Sequence, residues 1–594
     1  MLPEFLSITA IRKAYASGMT PLDLIEEVIR RCDASKDPAI FITRAKAEDL
    51  RAQAKALVAR GPEGLPLYGI PFAAKDNIDA VGLPTTAACP DFAYDPAADA
   101  TVIARLRAAG AILIGKTNLD QFATGLNGSR SPYGIPRCVF DADYVSGGSS
   151  SGSAVAVASG LCAFSLGTDT AGSGRVPAMF NNLVGLKPSP GLVPNTGLVP
   201  ACASVDVITV FAGSVPEAAE VRAVMEGYDA ADPFSRVAKP HALPARPRIG
   251  VLAGAERNFY GNAEVEAAYD AACKRAEDLG AELVPFDYAP FREAAALLYD
   301  GPWVAERLAA VEPFLKDHAD SFDPTVRGII EGARKYSAVD AFNGLYRLNA
   351  LRQKVKPVWE AVDMLMLPTS PTRCTVADML AEPVKRNSEF GLYTNFANLL
   401  GYAAIAVPGG FGASGLPTGV QFVAPPFSDQ ALVPFATAMQ KAAASGMGIE
   451  RSAVLPEAAP QVPEGWLTIA AVGAHLSGMP LNHELTGPGG ILLETTRTAG
   501  DYRLYSLAGT VPAKPGLVRV PNATGDGIEL ELWALPPAAF GAFVAAIPAP
   551  LGVGKVTLAD GRAVTCFLCE AHATEGAEDI TAFGGWRAWR ATQG

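Results

Sequence analysis

Hydrophobic and polar positions divide the chain into stretches of different rhythm. Over about the first 30 residues, apolar positions recur at helical spacing and predict two short helices. Thr20 followed by Pro21 marks the start of the second. The hydroxyl can cap free N–H groups, and the ring already holds a helical φ. From roughly 65 to 215, short Val/Ile/Ala/Leu runs alternate with helical segments, broken by Gly, Ser and Pro. Such runs read as buried strands of an α/β core. Between about 262 and 360 the pattern turns helical, and strand-like runs return in VDMLMLPTS and AAIAVPGGF.

A break follows in RSAVLPEAAPQVPEGW, where Pro456, Pro460 and Pro463 stand among small residues and predict a stiff linker. Beyond it, WLTIAAVGA, LLETTRT, DYRLYSLAGT, GIELELWALP and GKVTLADGRAVTCFLCEA read as strands separated by turns. The expected organisation is an α/β domain over residues 1–450, a Pro-rich linker over 451–465 and a smaller, mainly β domain over 466–594.

Composition narrows the function. With 594 residues the chain exceeds one ordinary core, and 49% hydrophobic against 19% charged residues argues against disorder. A net charge of −12 repels phosphate backbones, so nucleic acid is not an expected partner. A few local cations could still hold a small anion in a cleft. No apolar run reaches the ~18–20 residues that a membrane span needs. The N-terminus lacks the basic start and apolar stretch of a signal peptide. Nine cysteines, an odd number without a leader, point to a reducing cytoplasm. Only Cys566 and Cys569 lie close together. In a strand, residues three apart face opposite ways, so no metal site is expected.

The densest chemistry lies in SGGSSSGSAVAVASGLCAFSLGTDTAGSGR, residues 146–175. Its glycines let backbone N–H groups turn toward one point, as an oxyanion hole requires. A flexible linker or tight helix-on-sheet packing would give the same composition. The five histidines, His241, His318, His475, His483 and His572, all lie beyond residue 240. A serine in this region therefore has no histidine in its own part of the chain. Lysine is the other base able to activate serine, once burial or a neighbouring charge lowers its pKa. Lys75, at the end of the apolar stretch in YGIPFAAKDNIDAVGLPTT, is the candidate. A surface charge or an ion pair with Asp76 or Asp79 is the alternative.

GIPFAAKDNI, GGSSSGS and GTDTAGSGR occur here in the order and at the spacing of the amidase signature family, which most of residues 1 to about 445 resembles. The resemblance implies that family's fold, a mixed central sheet covered by helices. It implies Lys75 as the base, Ser149 as a bridging serine after a cis peptide bond, and Ser173 as the nucleophile. The oxyanion hole would come from the N–H groups of Thr170, Ala171, Gly172 and Ser173. Ala171 stands where glycine is more usual. Ser150, Ser151 and Ser153 would hold the loop. No metal or organic cofactor is implied, and the assembly expected is a homodimer.

GAILIGKT, residues 110–117, satisfies the P-loop expression but should not bind a nucleotide. A helix precedes it and AILI is itself a strand, so the loop geometry is missing. Two stretches, FATGLNGSRSPYG and LLYDGPWVAERLAAV, resemble the members of the family that hydrolyse allophanate, a small anionic amide. In the second, Asp300-Gly301 should end one helix and Pro302 should open the next. Arg307 could then hold a carboxylate in a two-pronged contact, with Tyr299 adding a hydrogen bond. The alternative pairs Arg307 with Glu306 or Glu312 on a solvated helix and packs Tyr299 in the core.

The C-terminal module resembles the one appended in these members and, more loosely, the γ-glutamylcyclotransferase-like fold. The acidic residue expected after GIELELWALP in that fold is missing. His475 is the module's candidate for chemistry, against a purely structural role. The expected reaction is hydrolysis of allophanate with release of ammonia and a dicarboxylated amine that loses carbon dioxide. The alternatives are an amidase of other or broad specificity, or the amidase component of a tRNA-dependent amidotransferase, which works inside a complex.

Overall fold

The computed structural model describes residues 2–239, 241, 243–244, 246–456 and 465–593. Most of the expected linker, including Pro460 and Pro463, lies outside them. Contacts divide the chain into two compact units, Met1–His241 with Arg246–Ala458, and Ala459–Gly594 with Ala242–Ala245.

The first unit is built on an eleven-stranded mixed sheet. In chain order its strands are β1 Phe41–Arg44, β2 Pro71–Lys75, β3 Ile112–Thr117, β4 Phe164–Asp169, β5 Val184–Lys187, β6 Val207–Ala212, β7 Arg248–Val251, β8 Glu282–Pro285, β9 Met364–Pro368, β10 Ala403–Phe411 and β11 Pro417–Ala424. Their order across the sheet is β1-β3-β2-β4-β6-β5-β10-β11-β9-β7-β8. Every residue of β2, β3, β4 and β6 is buried, which is why their sequences run apolar without alternation. The GKT of the false P-loop lies within β3, behind the helix Thr101–Ala108.

β2 runs parallel to both β3 and β4, with Ala74 opposite Leu166. The C-terminal ends of β2 and β4 therefore reach the same sheet edge, and the segments leaving them meet there. The helix Ser151–Ala158 is buried along its whole length, which its small side chains permit.

At the N-terminus the two expected helices are Ile8–Ala16 and Pro21–Ala34, the second closed by a reciprocal Thr20–Asp23 capping box. β8 was not expected, because ELVP sits in a stretch of helical composition. The break near Tyr299 is also longer than the sequence suggests. One helix ends at Ala296 and the next begins at Val304, so Pro302 lies in the connection and not at a first helical position.

The second unit contains a five-stranded and a three-stranded sheet. Its strands are β12 Leu467–Ala471, β13 Ile491–Arg497, β14 Tyr502–Ser506, β15 Pro515–Arg519, β16 Glu529–Leu535, β17 Leu551–Thr557, β18 Ala563–Cys569 and β19 Glu578–Asp579. They are ordered β13-β16-β12-β18-β17 and β15-β14-β19. Ile469, Leu530, Leu532, Val556 and Trp586 contribute to its own buried core. Cys566 is buried and Cys569 half-exposed on β18. Among the described residues, no helix is long and apolar enough to cross a membrane.

Candidate active site

Lys75 ends β2 and is fully buried. Its Nζ lies 2.7 Å from Ser149 Oγ and donates to Thr168 Oγ1, also at 2.7 Å. The Thr168 contact follows from the register, since β4 runs beside β2 and brings residues 167–168 level with the end of β2. Burial pushes the Lys75 ammonium down to about 7, against the pull of Asp120, Asp206 and Asp169. The acids next in sequence are engaged elsewhere. Asp76 pairs with Lys116 at 3.4 Å, and Asp79 accepts from Thr85 and Tyr94.

Ser149 follows a cis peptide bond from Gly148. A Cβ on Gly148 would come within 2.3 Å of Asp120 Oδ2, so only glycine lets the chain pass this carboxylate. Asp120 in turn gathers the N–H groups of Asn127, Gly128 and Arg130 and shapes the opposing loop. Ser150 exchanges hydrogen bonds with the Thr168 backbone, and Ser153 donates to the Leu166 carbonyl. Both serines hold the loop against β4. Ser151 Oγ has no such partner.

The segment after β4 carries Thr170, Ala171, Gly172 and Ser173. Asp169 clamps it from within, accepting from Gly172 N at 2.8 Å, Gly174 N at 3.1 Å and Arg175 Nε at 2.9 Å. Burial alone would raise the Asp169 carboxyl, but Arg175, with Lys187 and the Gly174 N–H, outweighs it and holds the group below its usual range. Gly172 has φ +135°, and a Cβ there would lie 2.4 Å from Thr394 Oγ1. Its N–H is thus committed to Asp169. The N–H groups of Thr170, Ala171 and Ser173 have no protein acceptor among the described residues. Ser173 is buried, and its Oγ donates to the Gly125 carbonyl at 3.3 Å, not to Ser149.

Arg307 lies in the first turns of the helix Val304–Asp317 and is only 2% exposed. Its partners are neutral. Nη1 donates to Thr124 Oγ1 (3.0 Å) and the Ala123 carbonyl (3.4 Å), and Nη2 donates to the Tyr299 hydroxyl (3.2 Å). Nε has no partner. Glu306 instead accepts from Ser204, and Glu312 pairs with Arg334. Thr124 adjoins Gly125, so the guanidinium and the Ser173 hydroxyl meet the same short loop. Tyr299, Leu126, Arg130 and Asn387 line an adjoining cavity of about 260 Å³.

The structure thus brings Lys75 to Ser149, and Tyr299 to Arg307. It adds Thr168, Asp169, Thr124 and Gly125, which sequence reasoning passed over. Thr168 and Asp169 lie inside GTDTAGSGR, and Thr124 and Gly125 inside FATGLNGSRSPYG, but neither motif by itself shows what these four residues touch.

In the second unit, His475 Nε2 lies 2.9 Å from Glu484 Oε2, and the ring stacks on Phe567 at 5.3 Å. Burial lowers its pKa. With Lys514, it lines a cavity of about 200 Å³.

Comparison with known proteins gives two family matches. The amidase family matches residues 23–433, and the allophanate hydrolase C-terminal domain matches residues 467–591. The urea amidolyase of Saccharomyces cerevisiae is 42% identical over 592 residues, covering 97% of this chain and 32% of that protein. The chain therefore spans about a third of that relative's length. A glutamyl-tRNA(Gln) amidotransferase component from Symbiobacterium thermophilum is 35% identical, covering 73% of this chain and 96% of that one. Among solved structures, Kluyveromyces lactis allophanate hydrolase matches with a TM-score of 0.86 at 40% identity, over 100% of both chains.

Proposed function

This chain belongs to the amidase family, and from that premise we propose that it hydrolyses allophanate through Ser173, Ser149 and Lys75. The observation that carries the substrate reading is the buried Arg307 guanidinium. Its hydrogen-bond partners are neutral, its Nε has no partner among the described residues, and it lies beside the loop that holds Ser173. Asp206 and Glu306 act on this guanidinium only at longer range, without a hydrogen bond to it, so a charge-assisted contact is left for an anionic ligand to make. Allophanate has one carboxylate for Arg307 and Tyr299 and one carbamoyl group within reach of the serine.

In the reaction, neutral Lys75 takes a proton from Ser149 while Ser149 takes one from Ser173. Rotation of the Ser173 hydroxyl away from Gly125 precedes this transfer. Ser173 Oγ then bonds to the carbamoyl carbon. Negative charge collects on the oxygen, where the N–H groups of Thr170, Ala171 and Ser173 receive it. The relay reverses and protonates the leaving nitrogen, and ammonia departs as the C–N bond breaks. Water, activated by the same relay, cleaves the Ser173 ester and releases the dicarboxylated amine. Loss of carbon dioxide follows, and the cavity around His475 and Lys514 is the proposed place for it.

A homodimer is the assembly proposed. It is supported by Val339, Phe342, Leu345 and Tyr346, a run of exposed apolar side chains on the helix Ala338–Ala361. Sedimentation of the intact chain checks this, and a monomer at all concentrations contradicts it.

The test of the function is ammonia release from allophanate, malonamate, biuret, glutamine and a fatty amide, assayed side by side. Turnover concentrated on allophanate supports the reading. Comparable turnover of the uncharged amides replaces it with a broad amidase.

A further inference from the structure

The reaction above leaves one buried acid beside the site unused. Asp206 is 4% exposed and immediately precedes β6. One carboxylate oxygen accepts the Thr170 hydroxyl. The other accepts the N–H groups of Ala201 at 2.7 Å and Cys202 at 3.1 Å. β4 and β6 are antiparallel neighbours with Asp169 opposite Val207, so Thr170 and Asp206 are the next pair beyond the ladder. A hydroxyl and a carboxylate at such a pair meet directly. Asn398 joins the same two strand ends through their backbones, donating to the carbonyls of Asp169 (2.7 Å) and Val205 (2.9 Å).

The loop's far end has a separate anchor. Asp169 holds the amides of Gly172 and Gly174, and Asn398 holds the Asp169 carbonyl, which shares a peptide plane with the Thr170 N–H, leaving the plane that carries the Ala171 N–H to be fixed through Thr170. Side-chain contact with Thr170 comes from Asp206. Oxyanion donors work only if they already point at the place where charge develops.

We infer that Asp206 is a positioning residue for the oxyanion loop, aiming the Ala171 N–H by holding the Thr170 hydroxyl, while Asn398 fixes the plane of the Thr170 N–H. It touches no reacting atom. The inference rests on the proposed reading in one respect, that Ser173 attacks and these amides receive the oxyanion.

The test uses the full-length chain and the variants Thr170→Val, Thr170→Ser, Asp206→Asn and the Thr170→Val/Asp206→Asn double. Two rates are read. One is kcat for allophanate, with KM. The other is labelling of Ser173 by a small alkyl fluorophosphonate, followed by intact mass, which draws on the same oxyanion donors whatever the natural amide.

Thr170→Val and Asp206→Asn should each lower both rates about 10- to 100-fold, less than or near the loss of a whole oxyanion donor. KM should stay within about threefold, since the interaction serves the transition state. Thr170→Ser should retain most of the rate. The double variant should be no worse than Asp206→Asn alone, as expected for two residues acting through one contact. Native rates in Thr170→Val, or losses that multiply in the double, would overturn the inference. Should Asp206→Asn fail to fold, the Val and Ser variants of Thr170 decide the matter. A native chain that labels normally yet leaves allophanate intact sinks the substrate reading, while the labelling series still judges Asp206.

Discussion

Lys75 Nζ and Ser149 Oγ lie 2.7 Å apart, both fully buried at the joined ends of β2 and the serine loop. In the proposed reaction this pairing supplies a base that needs no histidine. Burial supplies the activation, bringing Lys75 to about 7.

That value sets a pH dependence. Lys75 accepts a proton only when neutral, and it is neutral above its folded pKa. Activity should therefore fall tenfold for each pH unit below about 7 and level off above it. A kcat/KM profile measured across that range checks this. A flat acid side would show that Lys75 is not the base. Lys75→Ala should lose nearly all turnover at every pH.

The two serines should differ in their effect. Ser173→Ala should abolish turnover, because the Ser149, Ser150, Ser153 and Thr170 hydroxyls are engaged by other partners. Ser149→Ala should be damaging but less complete, since water could bridge part of the gap to Lys75. Single-turnover ammonia release separates them. Substantial activity in Ser173→Ala would mean that another group attacks.

Arg175 is predicted to act on stability. It pairs with Asp169 while also donating to Gln421 and the Thr394 carbonyl, all buried. Arg175→Ala strands the Asp169 carboxylate and should cost roughly 3–5 kcal/mol, read as a lower urea midpoint. Because the folded Asp169 pKa is depressed, the stabilisation from this pairing is present above the unfolded value, near pH 4. It is lost as pH falls through the folded value. An unchanged midpoint would deny the clamp its structural weight.

His475 gives a prediction for the second unit. If carbon dioxide is lost in its cavity, His475→Ala should leave the first ammonia release unchanged and slow release of carbon dioxide. Simultaneous assay of the two gases distinguishes this from a structural histidine, whose removal would affect neither or both.

Much of the site was legible because its residues sit in compact motifs. Lys75 stood out as a lone cation in an apolar strand, and Ser149 and Ser173 lay in glycine-rich turns. Their partners were not legible. Thr168 meets Lys75 only through the pairing of β2 with β4, and Asp206 reaches Thr170 only through the pairing of β4 with β6. Gly172 illustrates a different limit. Its place in the loop suggested a free donor, but whether an amide is free depends on where the Asp169 carboxylate turns. The connection before Arg307 was misjudged because Pro302 offers a local helix-start signal that the longer break overrides. β8 was hidden by its helical surroundings.

In the proposed reaction Arg307 reads the carboxylate of an anionic amide delivered to Ser173. The most direct measurement is kcat/KM for allophanate and for uncharged biuret, on the native chain and on Arg307→Ala. A charge-assisted contact is worth about 1.5–3 kcal/mol, so the variant should lose about 10- to 100-fold on allophanate. Biuret should lose far less. Equal losses on both amides would contradict the account and leave Arg307 as a support of the fold.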